Sequence, residues 1–274
     1  MIRPLEVSAV RLTQQQIDQY REHGYLVVEQ LFSQSEVDDL VAALHRDAAD
    51  PGPHRVLEDD GRLRAIYASH QRSPLFADLV RSPRLLDPVR QLLTDDVYVY
   101  QFKINAKPAF GGGKWAWHQD YIAWKIADNL PSPALVNVGF FIDDVTEFNG
   151  PLIFVPGSHR YGQFREDRAG NAASEQHLDP DDIALKPAQM TALVGEHGMV
   201  SPKAKAGSVV FFHPEIVHGS APNMSPFPRR LLIATYNDVA NEPRPFGEPR
   251  PEYVVGRDTT PLRPAGAELE QVSA

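Results

Sequence analysis

The run Val97-Tyr-Val-Tyr-Gln-Phe-Lys-Ile104 indicates the fold, because β-branched and aromatic residues, which are typical of strands, dominate it. Four further runs of this kind follow, separated by Gly, Pro and Asn clusters: Leu135–Ile142, Leu152–Val155, Ser208–Phe212 and Leu231–Tyr236. The last two runs are apolar on both faces, as expected of strands covered by the core on one side and by helices or a second sheet on the other. We therefore predict an all-β core.

The residues before position 97 carry helix signals instead. Thr13 precedes a periodic segment that ends near Gly24, and Ser33-x-x-Glu36 has the pattern of a capping box. Ser73-Pro74 and Ser82-Pro83 each place a capping residue before a proline at the first helical position. The expected fold class is mainly β with a helical layer, as in a β-sandwich or jelly roll backed by N-terminal helices.

We expect a single domain over residues 1–274. In this division, residues 1–96 are mainly helical support with a lid loop, residues 97–240 form the β core, and residues 241–274 form an irregular Pro-rich tail. Two stretches are expected to be long loops, and such loops often act as lids or binding loops; they are Asp50–Ser73 and roughly Arg165–Gln189.

Composition excludes several classes of function. The chain has 36 acidic and 27 basic residues and a formal net charge of −9, which argues against a nucleic-acid partner. No apolar run approaches the length of a membrane span. The sequence contains no Cys, so any metal must be held by His and carboxylate groups. The N-terminal residues lack the apolar core of a secretory signal, so we expect a cytoplasmic protein.

The stretch Trp115-Ala-Trp-His-Gln-Asp120 contains a candidate metal motif. If it is extended, His118 and Asp120 point to the same face, and His218 follows after the strand Ser208–Phe212. Two imidazoles and one carboxylate form the facial triad of non-haem Fe(II) enzymes, which leaves three adjacent positions open. Zinc accepts the same ligand types, although the helical His-Glu-x-x-His spacing is absent. A lone His-x-Asp is also often purely structural.

Arg229 lies eleven residues after His218, at the start of an apolar strand where its guanidinium could pair with a carboxylate. Together with His118 and Asp120, this pattern resembles the phytanoyl-CoA dioxygenase family of Fe(II)/2-oxoglutarate oxygenases. The resemblance covers about residues 12–240. It rests further on the blocks Gln101-Phe-Lys-Ile-Asn-Ala-Lys-Pro108, Trp117-His-Gln-Asp-Tyr-Ile-Ala-Trp124, Asn149-Gly-Pro-Leu-Ile-Phe-Val-Pro-Gly-Ser-His159 and His218-Gly-Ser220.

The resemblance implies a double-stranded β-helix, a cupin-like jelly roll, that binds Fe(II) and 2-oxoglutarate and consumes O2 while releasing succinate and CO2. The blocks are similar to those of ectoine hydroxylases and, more closely, bacterial proline trans-4-hydroxylases, which Asp50–Glu58 and Tyr236-Asn237 also resemble. The implied reaction is therefore hydroxylation of a small free amino acid, L-proline to trans-4-hydroxy-L-proline, with ascorbate as an activator in vitro. The alternatives are ectoine, pipecolic acid or a natural-product intermediate as substrate, and a non-catalytic cupin-like binding protein.

The resemblance also implies roles for individual residues. The iron ligands are expected to be His118, Asp120 and His218. The expected contacts of 2-oxoglutarate lie on two strands and their ends, with the guanidinium on the far carboxylate; they are Arg229, Ser220, Asn105, Gln101 and Lys107. Related halogenases replace the ligand carboxylate by a small residue, so Asp120 favours hydroxylation over halogenation. Arg230 is expected to face solvent, because neighbouring strand residues point in opposite directions.

A zwitterionic amino acid needs a cation for its carboxylate and an acceptor or an aromatic face for its ammonium group. The candidate substrate contacts are Trp124, Tyr121, Arg64, Arg55 and Trp117. Among them, Trp124 aligns with a tryptophan that lines the ectoine hydroxylase site, whereas core packing explains the other aromatic residues equally well. Composition is compatible with a monomer or a small homo-oligomer.

Overall fold

The computed structural model describes residue 5 and residues 8–164 and 183–265. The described helices are α1 (Gln14–His23), α2 (Gln34–Ala49), α3 (Ser69–Arg72), α4 (Pro74–Val80), α5 (Pro83–Leu92), α6 (Asp120–Asp128), α7 (Pro187–His197) and a 3-10 turn (Ser158–Tyr161). The described strands are β1 (Tyr25–Val28), β2 (Arg55–Leu57), β3 (Leu63–Tyr67), β4 (Val97–Lys107), β5 (Trp115–His118), β6 (Leu135–Phe141), β7 (Ile153–Phe154), β8 (Val209–Phe212), β9 (His218–Ser220) and β10 (Arg229–Asp238).

Two antiparallel sheets form the core of the fold. The larger sheet has seven strands in the order β1-β8-β6-β10-β4-β3-β2, and the smaller has three in the order β5-β9-β7. Neighbours such as β4 and β10 are distant in sequence, as a jelly roll requires. The expected mainly β, cupin-like jelly roll is confirmed, and all five predicted strands are present.

The helices cover one face of the larger sheet. The two predicted capping boxes at Thr13 and Ser33 are present, and Gly24 ends α1 with a φ of 79°, the left-handed conformation that favours glycine. Buried apolar residues of α2, α4 and α5 share one continuous core with outward-facing residues of the larger sheet, among them Leu40, Phe76 and Leu232. This burial of the outer sheet face explains why the central strands are apolar on both sides.

Strands also occur where the sequence predicted helices and loops. Strand β1 lies within the N-terminal part that was expected to be mainly helical, and it pairs with β8 at one edge of the larger sheet. The predicted loop Asp50–Ser73 contains the hairpin β2–β3, which extends the other edge by pairing with β4, and also helix α3. These strands are only three to five residues long, and runs this short cannot be assigned to a strand, a helix or a loop by their pattern alone. Most of the second predicted loop, about Arg165–Gln189, lies outside the described residues.

The described part of the C-terminal tail runs along β4. Gly256 donates to the carbonyl of Tyr100, and Leu262 donates to the carbonyl of Val97. Strand β4 has a bulge at Tyr100, which has no partner in β10 between the pairs Gln101–Thr235 and Val99–Tyr236. Because the bulge resets the alternation, Tyr100 and Gln101 both face the interior of the barrel. No described helix has the length and apolar character needed to cross a bilayer.

Candidate metal centre and its pocket

The three predicted metal ligands converge between the two sheets. His118 ends β5 and His218 begins β9, and the two are direct cross-strand partners with ring centroids 4.3 Å apart. Asp120 is the first residue of α6, after one extended residue, so its carboxylate lies on the same side as His118. One ligand atom from each residue lies within 4.8 Å of the others, and all three residues are buried. The expected i, i+2 convergence is therefore present.

The hydrogen bonds of the two histidines select the tautomer that suits a metal. His118 Nδ1 lies 2.6 Å from the carbonyl of Ala116, and His218 Nδ1 lies 3.0 Å from that of Ile216. Because a carbonyl only accepts, each Nδ1 carries a proton and each Nε2 presents a lone pair toward the centre. The Nε2 atoms lie 3.5 and 3.7 Å from the oxygens of Asp120.

Charge and burial support the same assignment. Burial and the neighbouring His118 lower the pKa of His218 to about 4, so its imidazole is neutral at neutral pH. Burial alone would raise the pKa of Asp120, but the two histidines outweigh it and hold the pKa below its usual range. Two imidazoles and one carboxylate are the donor set of a facial-triad Fe(II) site, and the residues fit that ion.

The residue between the two ligands of the His-x-Asp motif anchors them. Gln119 is completely buried, and its Nε2 donates to the carbonyls of Gly162 (2.8 Å) and Glu215 (2.7 Å). Its Oε1 accepts from the backbone N–H of Phe164 at 3.0 Å. Gln119 thus fastens the junction of β5 and α6 to the segments that precede α7 and β9, which restricts movement of His118 and Asp120.

Three of the predicted 2-oxoglutarate contacts meet at one end of the barrel. Arg229 and Lys107 are direct partners across β10 and β4, and both are buried. Lys107 Nζ donates to Ser220 Oγ at 2.7 Å and to the carbonyl of Ala221. Arg229 uses Nε and Nη2 to donate to the carbonyl of Gly150 at 3.0 and 2.6 Å.

This end of the barrel is a candidate carboxylate site. Burial and the nearby Arg229 lower the pKa of Lys107 to about 6, and burial lowers the pKa of Arg229 to about 10. A charged Lys107 beside Arg229 is unfavourable in this buried position, and an anion between the two side chains would remove that cost. Asn105, on the same face of β4 as Lys107, has a buried Oδ1 that accepts no hydrogen bond among the described residues, so this oxygen is open to a donor rather than to a carboxylate.

A narrow cavity of about 40 Å³ opens beside the metal ligands. Its described lining includes four predicted site residues: the metal ligands His118 and Asp120, together with Gln101 and Trp124. The lining also contains residues that the sequence analysis did not select, namely Tyr67, Lys103, Trp115, Ala123, Ile183 and Arg250.

Arg250 is held by a buried network at this cavity. Its Nε and Nη2 donate to Asp128 at 2.8 and 2.5 Å, and the hydroxyl of Tyr100 donates to the same carboxylate. Burial opposes the charge of Arg250, but the bonds to Asp128 raise its pKa above the ordinary value. Trp124 packs edge-on against Tyr100 with ring centroids 5.3 Å apart. A permanently charged guanidinium is therefore fixed in one orientation at the pocket wall.

The other predicted substrate contacts do not line this cavity. Arg55 donates to the carbonyl of Ala48, away from the metal ligands. Arg64 pairs with Glu58 at 3.3 Å and lies over the ring of Trp115 at 4.8 Å, so it supports the wall from behind. The described lining of the cavity contains the guanidinium of Arg250 in place of the two loop arginines expected from the sequence.

The two remaining aromatic candidates have packing roles. Tyr121 is buried, and its hydroxyl donates to the carbonyl of Leu130 at 3.1 Å. Trp117 packs against the apolar cluster that contains Val217 and Met190. Arg230 faces away from the barrel interior as expected, but it pairs with Asp143 at 2.6 Å and is largely covered.

Some of the cavity-lining residues that were not predicted could have been identified from the sequence. Lys103 lies between Gln101 and Asn105 on one face of β4, so strict alternation would have selected it with them. Tyr67 lies in a strand that was assigned to a loop, and Arg250 lies in the irregular tail. Neither position has a periodic pattern that predicts where its side chain points.

Comparison with known families and proteins agrees with the geometry. The sequence profile of the family described as phytanoyl-CoA dioxygenase (PhyH) matches residues 20–231. Ectoine dioxygenase from Bordetella bronchiseptica is 36% identical over 261 residues, which cover 90% of this chain and 83% of that protein. L-proline trans-4-hydroxylase from Streptomyces griseoviridis is 36% identical over 262 residues, which cover 91% of this chain and 94% of that protein.

Solved structures give the same result. The crystal structure of EctD from S. alaskensis with 2-oxoglutarate and 5-hydroxyectoine superposes with a TM-score of 0.81 at 31% sequence identity, covering 96% of this chain and 92% of that chain. EctD from the same source with bound Fe superposes with a TM-score of 0.80, also at 31% identity, covering 95% of this chain and 91% of that chain.

Proposed function

The chain belongs to the phytanoyl-CoA dioxygenase family, and from this premise we propose that it hydroxylates free L-proline to trans-4-hydroxy-L-proline. The coarser activity follows from membership: the protein is a 2-oxoglutarate-dependent dioxygenase that acts as a hydroxylase and uses Fe(II) and O2. When bound, Fe(II) supplies the redox chemistry that couples oxidation of 2-oxoglutarate to hydroxylation of the substrate. The intact triad agrees with an enzyme and leaves the non-catalytic alternative without support.

The observation that carries the substrate proposal is the combination of groups around the cavity. Arg250, held by Asp128, offers a fixed guanidinium to a carboxylate. Lys103 is a second cation in the lining, and it forms no salt bridge with any described residue. Gln101 donates through Nε2 to the carbonyl of Val254 at 3.1 Å, and no described group donates to its Oε1. That oxygen is an acceptor for an ammonium group, and Trp124 adds an aromatic face.

These groups suit a compact zwitterion. The carboxylate pairs with Arg250 and Lys103, while the ammonium group donates to Gln101, which leaves the remaining carbon atoms of the substrate toward His118 and Asp120. The enclosing aromatic residues keep water away from the reacting carbon.

We propose that the other end of the barrel binds the far carboxylate of 2-oxoglutarate. Arg229 and Lys107 supply charge and Ser220 supplies a hydroxyl donor, while Asn105 lies between this end and the substrate cavity on β4. Their roles are to bind and orient the cosubstrate, so that its other end faces His118 and His218.

Ectoine is the second candidate, because the ectoine dioxygenase and proline hydroxylase relatives are equally identical to this chain. Ectoine also carries a carboxylate, so Arg250 does not distinguish the two substrates. The blocks Asp50–Glu58 and Tyr236-Asn237, which resemble the proline enzymes, support proline.

The test is aerobic turnover with Fe(II), ascorbate and 2-oxoglutarate over a panel of proline, ectoine, pipecolic acid and common amino acids. Succinate and the product with one added oxygen are measured together. We expect stoichiometric succinate and hydroxyproline with L-proline. Succinate with hydroxyectoine and no hydroxyproline would assign ectoine instead, and succinate without a hydroxylated product would exclude both.

A variant pair separates recognition by Arg250 from a general effect of charge. Arg250→Gln should raise the KM for the amino acid at least about 10-fold, the effect of a lost charge-assisted hydrogen bond, with little change in the KM for 2-oxoglutarate. The matched control is Arg244→Gln, which removes an exposed guanidinium from the same segment. If both variants had the same KM for the amino acid, Arg250 would not be a substrate contact.

A further inference from the structure

The carboxylate of Asp120 is the end of a buried chain of two hydrogen bonds. Asn137 in β6 donates through Nδ2 to Asp120 Oδ2 at 3.0 Å. Thr235 in β10 donates through Oγ1 to Asn137 Oδ1 at 2.7 Å. Asn137 and Thr235 are direct cross-strand partners, and both are completely buried. The two side chains therefore form a rigid connection from the larger sheet to a metal ligand.

The chain has only one consistent direction. If the amide of Asn137 were reversed, its oxygen would face the oxygen of Asp120, and two acceptors would repel each other in a buried site. The acceptor-only carboxylate therefore sets the direction, and the hydroxyl of Thr235 donates to the amide oxygen, which satisfies that oxygen and holds the amide in place. Thr235 thus acts on Asp120 through Asn137.

This arrangement makes the two oxygens of Asp120 unequal. Oδ2 already accepts a hydrogen bond from Asn137, whereas no described group donates to Oδ1, which lies 3.5 Å from the unprotonated Nε2 of His118. A metal ion placed between the histidines therefore finds Oδ1 as the less occupied oxygen. A carboxylate that binds with both oxygens would have to give up the bond to Asn137.

We propose that Asn137 and Thr235 are positioning residues that keep Asp120 a one-oxygen ligand of Fe(II). Cosubstrate and O2 together need three coordination positions, two for 2-oxoglutarate and one for O2. A facial triad with a one-oxygen carboxylate leaves three positions, and a two-oxygen carboxylate leaves two. The chain from Thr235 to Asp120 would thus protect the position that O2 requires. The proposal rests on the iron site and is independent of the amino-acid substrate.

The test measures metal and gas binding rather than turnover. Apoprotein is loaded anaerobically with Fe(II) and then 2-oxoglutarate, whose binding gives a visible charge-transfer band, and nitric oxide serves as a probe for the O2 position. Asn137→Leu removes the amide at similar volume. We expect its Fe(II) affinity to fall about 10- to 100-fold. At saturating Fe(II) and 2-oxoglutarate, the band should persist while nitric oxide affinity falls at least about 10-fold.

Two variants of Thr235 keep the test decisive if Asn137→Leu does not fold. Thr235→Val removes the hydroxyl at nearly constant volume, and Thr235→Ser retains it. We expect Thr235→Val to weaken nitric oxide binding, as Asn137→Leu does. Thr235→Ser should bind nitric oxide with the affinity of the unmodified protein. Equal nitric oxide affinity in Thr235→Val and Thr235→Ser would overturn the proposal.

The matched control is Asn237→Leu, which removes a completely buried Asn of the same strand as Thr235. Asn237 donates to the hydroxyl of Tyr98 at 2.9 Å and to the carbonyl of Asn241 at 2.8 Å, and it has no bond to Asp120. A merely structural role predicts that Asn137→Leu and Asn237→Leu lose stability alike and keep normal metal and nitric oxide affinities. That result, or the same loss of nitric oxide affinity in both variants, would also overturn the proposal.

Discussion

Arg229 lies directly opposite Lys107 in the antiparallel register of β10 and β4, and both side chains are buried at the same end of the barrel. Like charges in such a pair are unfavourable, and here burial and Arg229 lower the pKa of Lys107 to about 6. At neutral pH the free enzyme therefore holds one charged guanidinium and a largely neutral amine at the proposed cosubstrate site.

This relationship predicts proton uptake when 2-oxoglutarate binds. An added carboxylate favours the charged amine, so the pKa of Lys107 rises on binding and about one proton enters from solvent at pH 7.5. Affinity for 2-oxoglutarate should rise as the pH falls toward about 6 and level off below it, where the free amine is already charged. Calorimetry in buffers of different ionisation enthalpy measures the uptake. Lys107→Met should abolish it, and equal uptake in both proteins would contradict the assignment.

Removal of a metal ligand should abolish iron binding together with turnover. His118→Ala leaves one imidazole and one carboxylate, which no longer form the facial triad. We expect loss of the 2-oxoglutarate charge-transfer band and of succinate formation. The control is His197→Ala, because His197 lies at the end of α7 and takes no part in the metal centre. Undiminished activity in His118→Ala would exclude the assigned centre.

The hydrogen bonds that hold Arg250 should affect the KM for the amino acid but not the KM for 2-oxoglutarate. Tyr100→Phe removes one hydrogen bond to Asp128, and Asp128→Asn removes the charge that holds Arg250. We expect the KM for the amino acid to rise modestly in Tyr100→Phe and about 10-fold or more in Asp128→Asn, with an unchanged KM for 2-oxoglutarate. Steady-state kinetics with each substrate varied separately would measure this. A parallel rise of both KM values would show that Asp128 supports the barrel as a whole.

Two glycines should respond in opposite directions to replacement by alanine. Gly207 has a φ of +83°, and an added Cβ would lie 2.2 Å from the carbonyl oxygen of Phe32. Gly207→Ala should therefore lower the free energy of unfolding by about 2 kcal/mol or more. Gly195 lies within α7 with no atom within 4 Å of an added Cβ, so Gly195→Ala should raise it by about 0.5 kcal/mol or more. Urea denaturation checks both, and equal midpoints would refute the argument.

The sequence predicted the core of the fold and the metal centre because both depend on short-range patterns. Long apolar strands such as Leu135–Ile142 differ clearly from loops, and the spacing of His118 and Asp120 suffices to place both on one side. The pairing of His118 with His218 depends on the register of two strands that are distant in the chain, so residue types suggested His218 as a third ligand and the family resemblance supported it.

The wall of the cavity could not be predicted in the same way. Arg250 reaches the pocket from an irregular segment, where neither helical nor strand periodicity fixes the direction of a side chain. Tyr100 and Gln101 face the same side only because of a β-bulge, which breaks the alternation on which strand predictions rest. The guanidinium at the pocket therefore comes from the tail, whereas the loop arginines Arg55 and Arg64 have other partners.

The pairing of β5 with β9 has a consequence for how the enzyme holds its iron. A metal ion between His118 and His218 connects residues 100 positions apart and closes a long loop of the chain. The three-stranded sheet is small, and a ligand that binds only the folded form stabilises it by mass action. Iron binding and the folding of this sheet are thus linked. Loss of iron should lower the free energy of unfolding of the same strands that carry His118 and His218.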